Sequence, residues 1–324
     1  MRQNYIVGAD LGGTQIRACL ADVQGKILRE AHQPTLAQEG LQPVLGRIKR
    51  TLHQVMDSVS RDDVQGIGMG SPGPLDPVTG VVVEAANLPG WKNVPLRDIL
   101  MDEFHLPVWV NNDANVAALA EHRFGAGRGY SDVVYLTIST GIGGGFICGG
   151  KLLLGVHGYA GEPGHITLEP NGPRCNCGNI GCLEALAAGP AIARRATELL
   201  RSGQPSSLVT LLEANHEMTA EMVGKAAQQG DAVALQAVQR ASYYLGIGVL
   251  NLIHLFDPAV VILGGGVSKL GALLFGPVQE LVRERGITAQ QRETPIVPAE
   301  LGDQVGLLGG VALVIMNQEG AARA

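Results

Sequence analysis

Two blocks of this chain repeat one order of elements, and that repetition limits the folds open to it. Residues 6–9, 16–21 and 26–31 read as three short strands joined by glycine turns. Residues 133–139, 145–148 and 151–154 repeat the order, with a glycine turn over 140–144. Matched blocks of this kind point to an internal duplication, in which each half builds its own sheet from hairpin-linked strands. The first block is followed by a helix over 41–59, with Leu41, Leu45, Ile48, Leu52, Val55 and Val59 on one stripe. Strands over 64–69 and 81–84, a helix over 94–104, a strand over 108–111 and a helix over 113–124 come next. The second block is followed by helices over 187–200, 220–229 and 232–256, a strand over 260–263 and a helix over 270–285. A short strand over 296–298 and a helix over 306–316 end the pattern, which is that of α/β layers around central sheets.

The chain has 324 residues, 46% hydrophobic and 17% charged, ample for a buried core and with a prior of two domains. Its net charge of −6 argues against a nucleic-acid surface. No apolar run reaches the roughly 18 residues that span a bilayer, and the N-terminus leads straight into a strand, so neither a membrane anchor nor a signal peptide is expected. Five cysteines, an odd count, favour a reducing cytosol and hence a cytoplasmic protein. Cys19 and Cys148 lie in apolar runs and read as buried thiols without chemistry.

Asp10-Leu11-Gly12-Gly13-Thr14 lies between two strands of the first block. Glycines let a backbone approach a polyphosphate, Thr14 adds a hydroxyl and an N–H, and Asp10 could hold Mg²⁺ directly or through water. A plain β-turn explains such a hairpin as well. Thr140-Gly141-Ile142-Gly143-Gly144-Gly145 occupies the matching place in the second block, and the coincidence of the two loops favours phosphate binding. Leu263-Gly264-Gly265-Gly266 turns a strand into a helix, either as a backbone bed for an adenine ring or as an ordinary turn. Two look-alikes fail. Gly145 to Lys151 fits a P-loop until Leu152 replaces the required Ser or Thr, and its flanks read as two strands. Gly68 to Gly73 spells a dinucleotide fingerprint, but Pro72, Pro74 and Pro77 leave no helix behind it.

His165, Cys175, Cys177 and Cys182 have the spacing His-x9-Cys-x-Cys-x4-Cys, tight enough to close one tetrahedral zinc site. Gly178 and Gly181 allow the sharp turns this needs; three reduced thiols are the alternative. With four protein ligands no water position is left, so the zinc is structural. Glu162 and Glu184 bracket the cluster as exposed acids, which suits gripping a polyol. Asn111-Asn112-Asp113 stands at a strand end before a helix, either as a helix cap or as a carboxylate that takes a proton from a hydroxyl.

Taken in order, Asp10 to Thr14, Asn112-Asp113-Ala114-Asn115, Ser139 to Gly145, Glu162-Pro163-Gly164-His165, the Cys175 to Glu184 run and Leu263 to Gly266 resemble the ROK family of bacterial sugar kinases and repressors. The resemblance implies the actin-like ATPase fold, a duplicated ribonuclease H-like α/β architecture of two lobes with a central cleft. A small lobe of residues 1–112 plus about 303–324 and a large, zinc-bearing lobe of 113–302 are expected. ATP would be held by Asp10, Gly12, Gly13, Thr14, Thr140, Gly141, Gly143, Gly265 and Gly266, with Mg²⁺ near Asp10. The sugar would be held by Gly73, through its backbone, and by Asn112, Asp113, Glu162, His165 and Glu184. Asp113 would be the general base, and His165 would turn one ring nitrogen to zinc and the other to the sugar.

Family repressors carry a helix-turn-helix before the first phosphate loop; here Asp10 is the tenth residue, so a repressor is not expected. The run Ala86-Asn87-Leu88-Pro89-Gly90-Trp91 looks like the glucose kinases of the family, whereas Pro163 replaces a bulkier apolar residue. The implied activity is ATP-dependent phosphorylation of the C6 hydroxyl of glucose by a homodimer or homotetramer. A kinase for N-acetylmannosamine, N-acetylglucosamine, fructose or allose, a non-catalytic sugar sensor and a zinc-organised interaction protein are the alternatives.

Overall fold

A computed structural model describes residues 5–85 and 87–321. Residues 1–4 and 322–324, the ends of the expected first lobe, and Ala86 of the Ala86–Trp91 run lie outside the described residues. The chain divides into two compact units: residues 1–129, 152–160 and 300–324 form one, and residues 130–151 and 161–299 the other.

In the first unit, β1 (Tyr5–Leu11), β2 (Gln15–Asp22) and β3 (Ile27–Pro34) make an antiparallel meander. Helix α1 (Leu41–Met56) packs Leu45, Ile48, Leu52 and Val55 of the expected stripe against it, together with Val44; Leu41 is partly buried there, and Val59 lies beyond the helix end but still reaches the core. Strand β4 (Val64–Ser71) runs parallel to β1. A small sheet of β5 (Leu75–Asp76), β6 (Val81–Glu84) and β7 (Lys92–Pro95) follows. Val94 pairs with Val82 in that sheet, so α2 begins only after Pro95 (Leu96–Phe104), two residues later than the sequence pattern suggested. Strand β8 (Val108–Asn112) pairs in parallel with β4, and α3 (Asp113–Phe124) starts directly from its end. The sheet order is β3-β2-β1-β4-β8.

In the second unit, β9 (Val133–Ile138), β10 (Ile142–Cys148) and β11 (Lys151–Leu152) repeat the meander. Strand β10 begins three residues earlier than expected: Gly143 and Gly144 pair with Thr137 and Leu136, and the turn shrinks to residues 139–141. Helices α4 (Leu183–Ala187), α5 (Gly189–Arg201), α6 (Leu208–Asn215), α7 (Ala220–Gln228) and α8 (Ala232–Phe256) follow. The helix expected over 187–200 is α5, which begins two residues later because Ala188 is extended; the short α4 before it was not expected, and the first turn of α5 takes Pro190 because no N–H is needed there. Asp257, in the left-handed region before Pro258, ends α8. Strand β12 (Val260–Gly264), α9 (Ala272–Arg285), α10 (Ala289–Arg292) and β13 (Ile296–Pro298) complete the unit. Its sheet order is β11-β10-β9-β12-β13, the same as in the first unit strand for strand, so the duplication read from the sequence is present in the fold.

The last helix, α11 (Val305–Ala321), belongs to the first unit and lies on β1, β4 and α3. Its docking also keeps α3 in that unit, whose first segment ends at Gly129. The fully buried carboxylate of Glu121, on α3, accepts the N–H groups of Ala126, Glu300 and Leu301 at 2.9, 3.2 and 3.0 Å, and so fixes where the chain re-enters the unit. Backbone meets backbone beneath α11: a Cβ on Gly68 would stand 2.0 Å from the Gly310 carbonyl oxygen. Gly68→Ala should therefore cost at least the about 1–3 kcal/mol typical of overpacking and lower the calorimetric unfolding midpoint; an unchanged midpoint would mean that α11 is not seated on the sheet this way.

Candidate active site

The first unit gathers its polar groups where three parallel strands end. Asp10 on β1 pairs in register with Gly70 on β4, and Gly70 with Asn111 on β8. Carboxyl ends of parallel strands are where open α/β sheets hold ligands, because the loops there leave the sheet on diverging paths. A Cβ on Gly70 would lie 3.7 Å from Asp10 Oδ1 and 3.8 Å from Asp113 Cα, so the two aspartates flank one glycine. Burial raises the Asp10 carboxyl above the usual range, and Arg17, with Nη2 3.5 Å from Asp10 Oδ2, opposes the rise. The same guanidinium donates to the Asp303 carbonyl at 2.5 Å, just before α11. Gly12, Gly13 and Thr14 form the β1–β2 turn; Thr35 Oγ1 donates to the Gly12 carbonyl at 2.7 Å, and Thr14 is exposed.

At the end of β8, Asn112 caps α3 by accepting the Ala114 N–H at 2.9 Å, and Asp113 Oδ1 accepts the same N–H at 2.8 Å. The cap read from the sequence is present, and the exposed Asp113 carboxylate sits at the helix N-terminus, where the dipole favours the anion. Gly73 lies beside this cap: a Cβ there would be 3.3 Å from Asn112 Nδ2. Asn111, 2% exposed, belongs to the segment read from the sequence as a cap, but its own role is different. Its Oδ1 accepts the Asn112 N–H at 2.8 Å and Asn115 Nδ2 at 3.1 Å, which sets the direction of the turn into α3.

In the second unit, His165, Cys175, Cys177 and Cys182 offer ligand atoms that all lie within 4.8 Å of one another. Cys175 Sγ is 3.8 Å from His165 Nδ1, and Cys177 Sγ is 3.8 Å from Cys182 Sγ. A tetrahedral zinc with Zn–S bonds near 2.3 Å sets sulfurs about 3.8 Å apart, so the donor set and its spacing fit that ion. Burial pushes the Cys175 thiol up to about 12, a cost that a divalent cation offsets by holding the sulfur as thiolate. Tight backbone bonds build the knot: Cys175 N–H to the Asn179 carbonyl at 2.8 Å, Gly178 N–H to the Cys175 carbonyl at 3.0 Å and Gly181 N–H to the Pro173 carbonyl at 2.8 Å. Cys19 is buried as expected, but Cys148 is exposed, because β10 ends there at the Gly149-Gly150 turn.

The carboxylates around the knot differ. Glu162 stands at the mouth of its turn; loss of solvation raises its carboxyl, His165 opposes the rise and Glu184 adds to it. Glu184, expected to be exposed, is half-buried: its Oε2 accepts the Ile142 N–H at 3.0 Å and its Oε1 lies 3.4 Å from Cys175 Sγ. The β9–β10 turn carries Thr140 and Gly141, and Gly143 follows in β10. The turn opens on a cavity of about 1530 Å³ that is also lined by Gly189, Lys225, Gly266 and Lys269. Gly265 precedes the helical turn at 266–270, which brings Gly266 to the same cavity. Thr140, Gly266 and their flanks are thus assembled around one hollow. Both look-alike motifs fail in three dimensions as well: Gly145 to Cys148 is strand, and Gly68 to Ser71 runs into a turn and not a helix.

The ROK family model matches residues 6–317. A glucokinase of Thermotoga maritima is 39% identical over 309 residues, 95% of this chain and 96% of that protein. A ROK hexokinase from Thermus thermophilus matches with a TM-score of 0.82 at 38% identity, covering 98% of this chain and 100% of that one. A ROK family glucokinase from Streptomyces griseus, solved in complex with glucose and AMPPNP, matches with a TM-score of 0.79 at 34% identity over 97% of this chain and 100% of that one.

Because Asn111 directs the entry to α3, Asn111→Ala should leave the Asn112 N–H and the buried Asn115 amide short of an acceptor. The expected loss is about 1–3 kcal/mol, read as a lower urea midpoint at unchanged slope; an unshifted midpoint would show that other acceptors take over.

Proposed function

The chain belongs to the ROK family, and on that footing we propose that it is an ATP-dependent glucose kinase that phosphorylates the C6 hydroxyl. Its two α/β units with matching strand order are those of the actin-like ATPase fold. The observation that carries the reading is the pair of aspartates beside Gly70, one at the glycine-rich hairpin and one heading α3. A kinase needs a carboxylate for the nucleotide's metal and another for the hydroxyl proton, and their closeness supports that division of labour.

In this reading Asp113 accepts the C6 hydroxyl proton as that oxygen forms its bond to the γ-phosphorus, and the bond from phosphorus to the departing ADP oxygen breaks. Asn112 and Gly73, next to Asp113, orient the sugar, as do Glu162, His165 and Glu184. With its Nδ1 turned toward Cys175, His165 has Nε2 for a hydroxyl, and a metal-fixed ring keeps that tautomer. Gly12, Gly13 and Thr14 hold phosphate oxygens with backbone N–H groups and a hydroxyl, as do Thr140, Gly141 and Gly143, while Gly265 and Gly266 border the base. Asp10 would hold Mg²⁺, which neutralises phosphate charge when bound. Zinc at the four-ligand knot is structural, and its thiolates suit the reducing cytosol.

Asp113→Asn should lower kcat by about 10²–10⁴-fold while the glucose Kd moves only a few-fold, in a coupled ADP-release assay paired with calorimetry. Turnover near that of the parent protein would remove the base from this account. Cys177→Ser should lose bound zinc, read by elemental mass spectrometry, and glucose affinity with it; a zinc-free variant that binds glucose normally would show that the knot does not shape the pocket.

A further inference from the structure

The turn that carries Thr140 and Gly141 has a support that a phosphate loop does not require of itself. The stretch from the metal ligand Cys182 to Gly189 touches it twice. Glu184 Oε2 accepts the Ile142 N–H at 3.0 Å, and the Gly189 N–H donates to the Ser139 carbonyl at 2.8 Å. The turn's own closure, Ser139 N–H to the Gly141 carbonyl at 2.8 Å, lies between these two points. Strand β10 also packs against the turn that leads to His165. A Cβ on Gly164 would stand 2.0 Å from the Ile142 carbonyl oxygen, so the backbones are in direct contact. Pro163 lies against Gly144 in the same way: a Cβ on that glycine would be 2.6 Å from Pro163 Cγ. The hairpin therefore touches both the segment that enters the candidate metal-ligating knot and the one that leaves it.

We infer that Glu184 is a positioning residue for the nucleotide loop: it couples the knot to the β9–β10 hairpin, so that nucleotide affinity depends on the knot even with no sugar present. The inference rests on assigning that hairpin to the nucleotide, as above. Its chemistry is simple. A half-buried carboxylate that accepts a backbone N–H makes a charge-assisted bond, stronger than one to a neutral acceptor. Ile142 is the first residue of β10, so this bond fixes where the turn stops and the strand begins. Loss of the acceptor leaves the Ile142 N–H without that partner at the point from which Thr140 and Gly141 are presented.

The test measures Mg·ADP binding by calorimetry on the metal-loaded protein without sugar, together with amide hydrogen exchange of the peptide spanning residues 139–145. Glu184→Ala should weaken Mg·ADP binding by about tenfold or more and speed exchange in that peptide, with metal content unchanged. Glu184→Gln, whose amide oxygen can still accept the Ile142 N–H, should restore most of both. Glu184→Asp keeps the charge but is one methylene too short, and it should behave like the alanine variant; it also serves if the alanine variant does not fold. Chelator-stripped parent protein should show the same faster exchange in the hairpin. If Glu184→Ala or Glu184→Asp binds Mg·ADP as the parent does, with unchanged exchange, and loses only glucose binding, Glu184 is a sugar ligand alone and the coupling is wrong. Parent protein that binds no Mg·ADP would count against the kinase reading, and the exchange data would still report on the Glu184–hairpin link separately.

Discussion

The contact of Gly164 with the Ile142 carbonyl is the constraint on which the second unit's chemistry turns. It leaves no room for a side chain between the turn that supplies His165 and the strand that continues the Thr140 loop. The four candidate metal ligands within residues 165–182 and the glycine-rich hairpin thus sit on segments in backbone contact. Firm positioning is what phosphoryl transfer asks of a protein. Little covalent work falls to the side chains, and most of the rate comes from holding donor and acceptor in line.

The first unit meets the same demand by other means. Three parallel strands end together, and Asp10, Gly70 and Asn111 share one register. Asp10 and Asp113 both lie next to Gly70, where a Cβ would stand 2.8 Å from Val116 Cγ2, so α3 packs close on this strand end. Arg17 keeps the half-buried Asp10 carboxyl from rising further, and buried Asn111 aims the first turn of α3. These supports are hydrogen-bonded or paired groups whose own positions are fixed, which is how a reactive carboxylate is held to a useful geometry.

Much of this was legible in the sequence, for local reasons. The knot could be read because its ligands, and the glycines that turn the chain between them, all fall within residues 165–182. The duplicated meanders could be read because hairpin-linked strands are local, and α3, α8 and β13 fall where periodicity put them. What escaped depends on contacts distant in sequence. The Glu184 carboxylate pairs with Ile142, 42 positions away, and half-buries itself in doing so. Glu121 reaches Glu300 and Leu301 across about 180 positions. Strand β7 was missed because Lys92–Pro95 is a short edge whose pairing with β6 overrides its own weak pattern. Helix α6 lacked a periodic stripe long enough to be read. The candidate ligands were therefore nameable from local sequence, and the long-range contacts that position them were not.

The reaction proposed for this chain is transfer of a phosphoryl group from ATP to one alcohol of glucose. The most direct measurement is phosphorus and carbon NMR of the products formed from glucose, ATP and Mg²⁺. The account predicts glucose 6-phosphate and ADP in equal amounts. ADP with inorganic phosphate and unaltered glucose, a phosphate on another hydroxyl, or no reaction would contradict it.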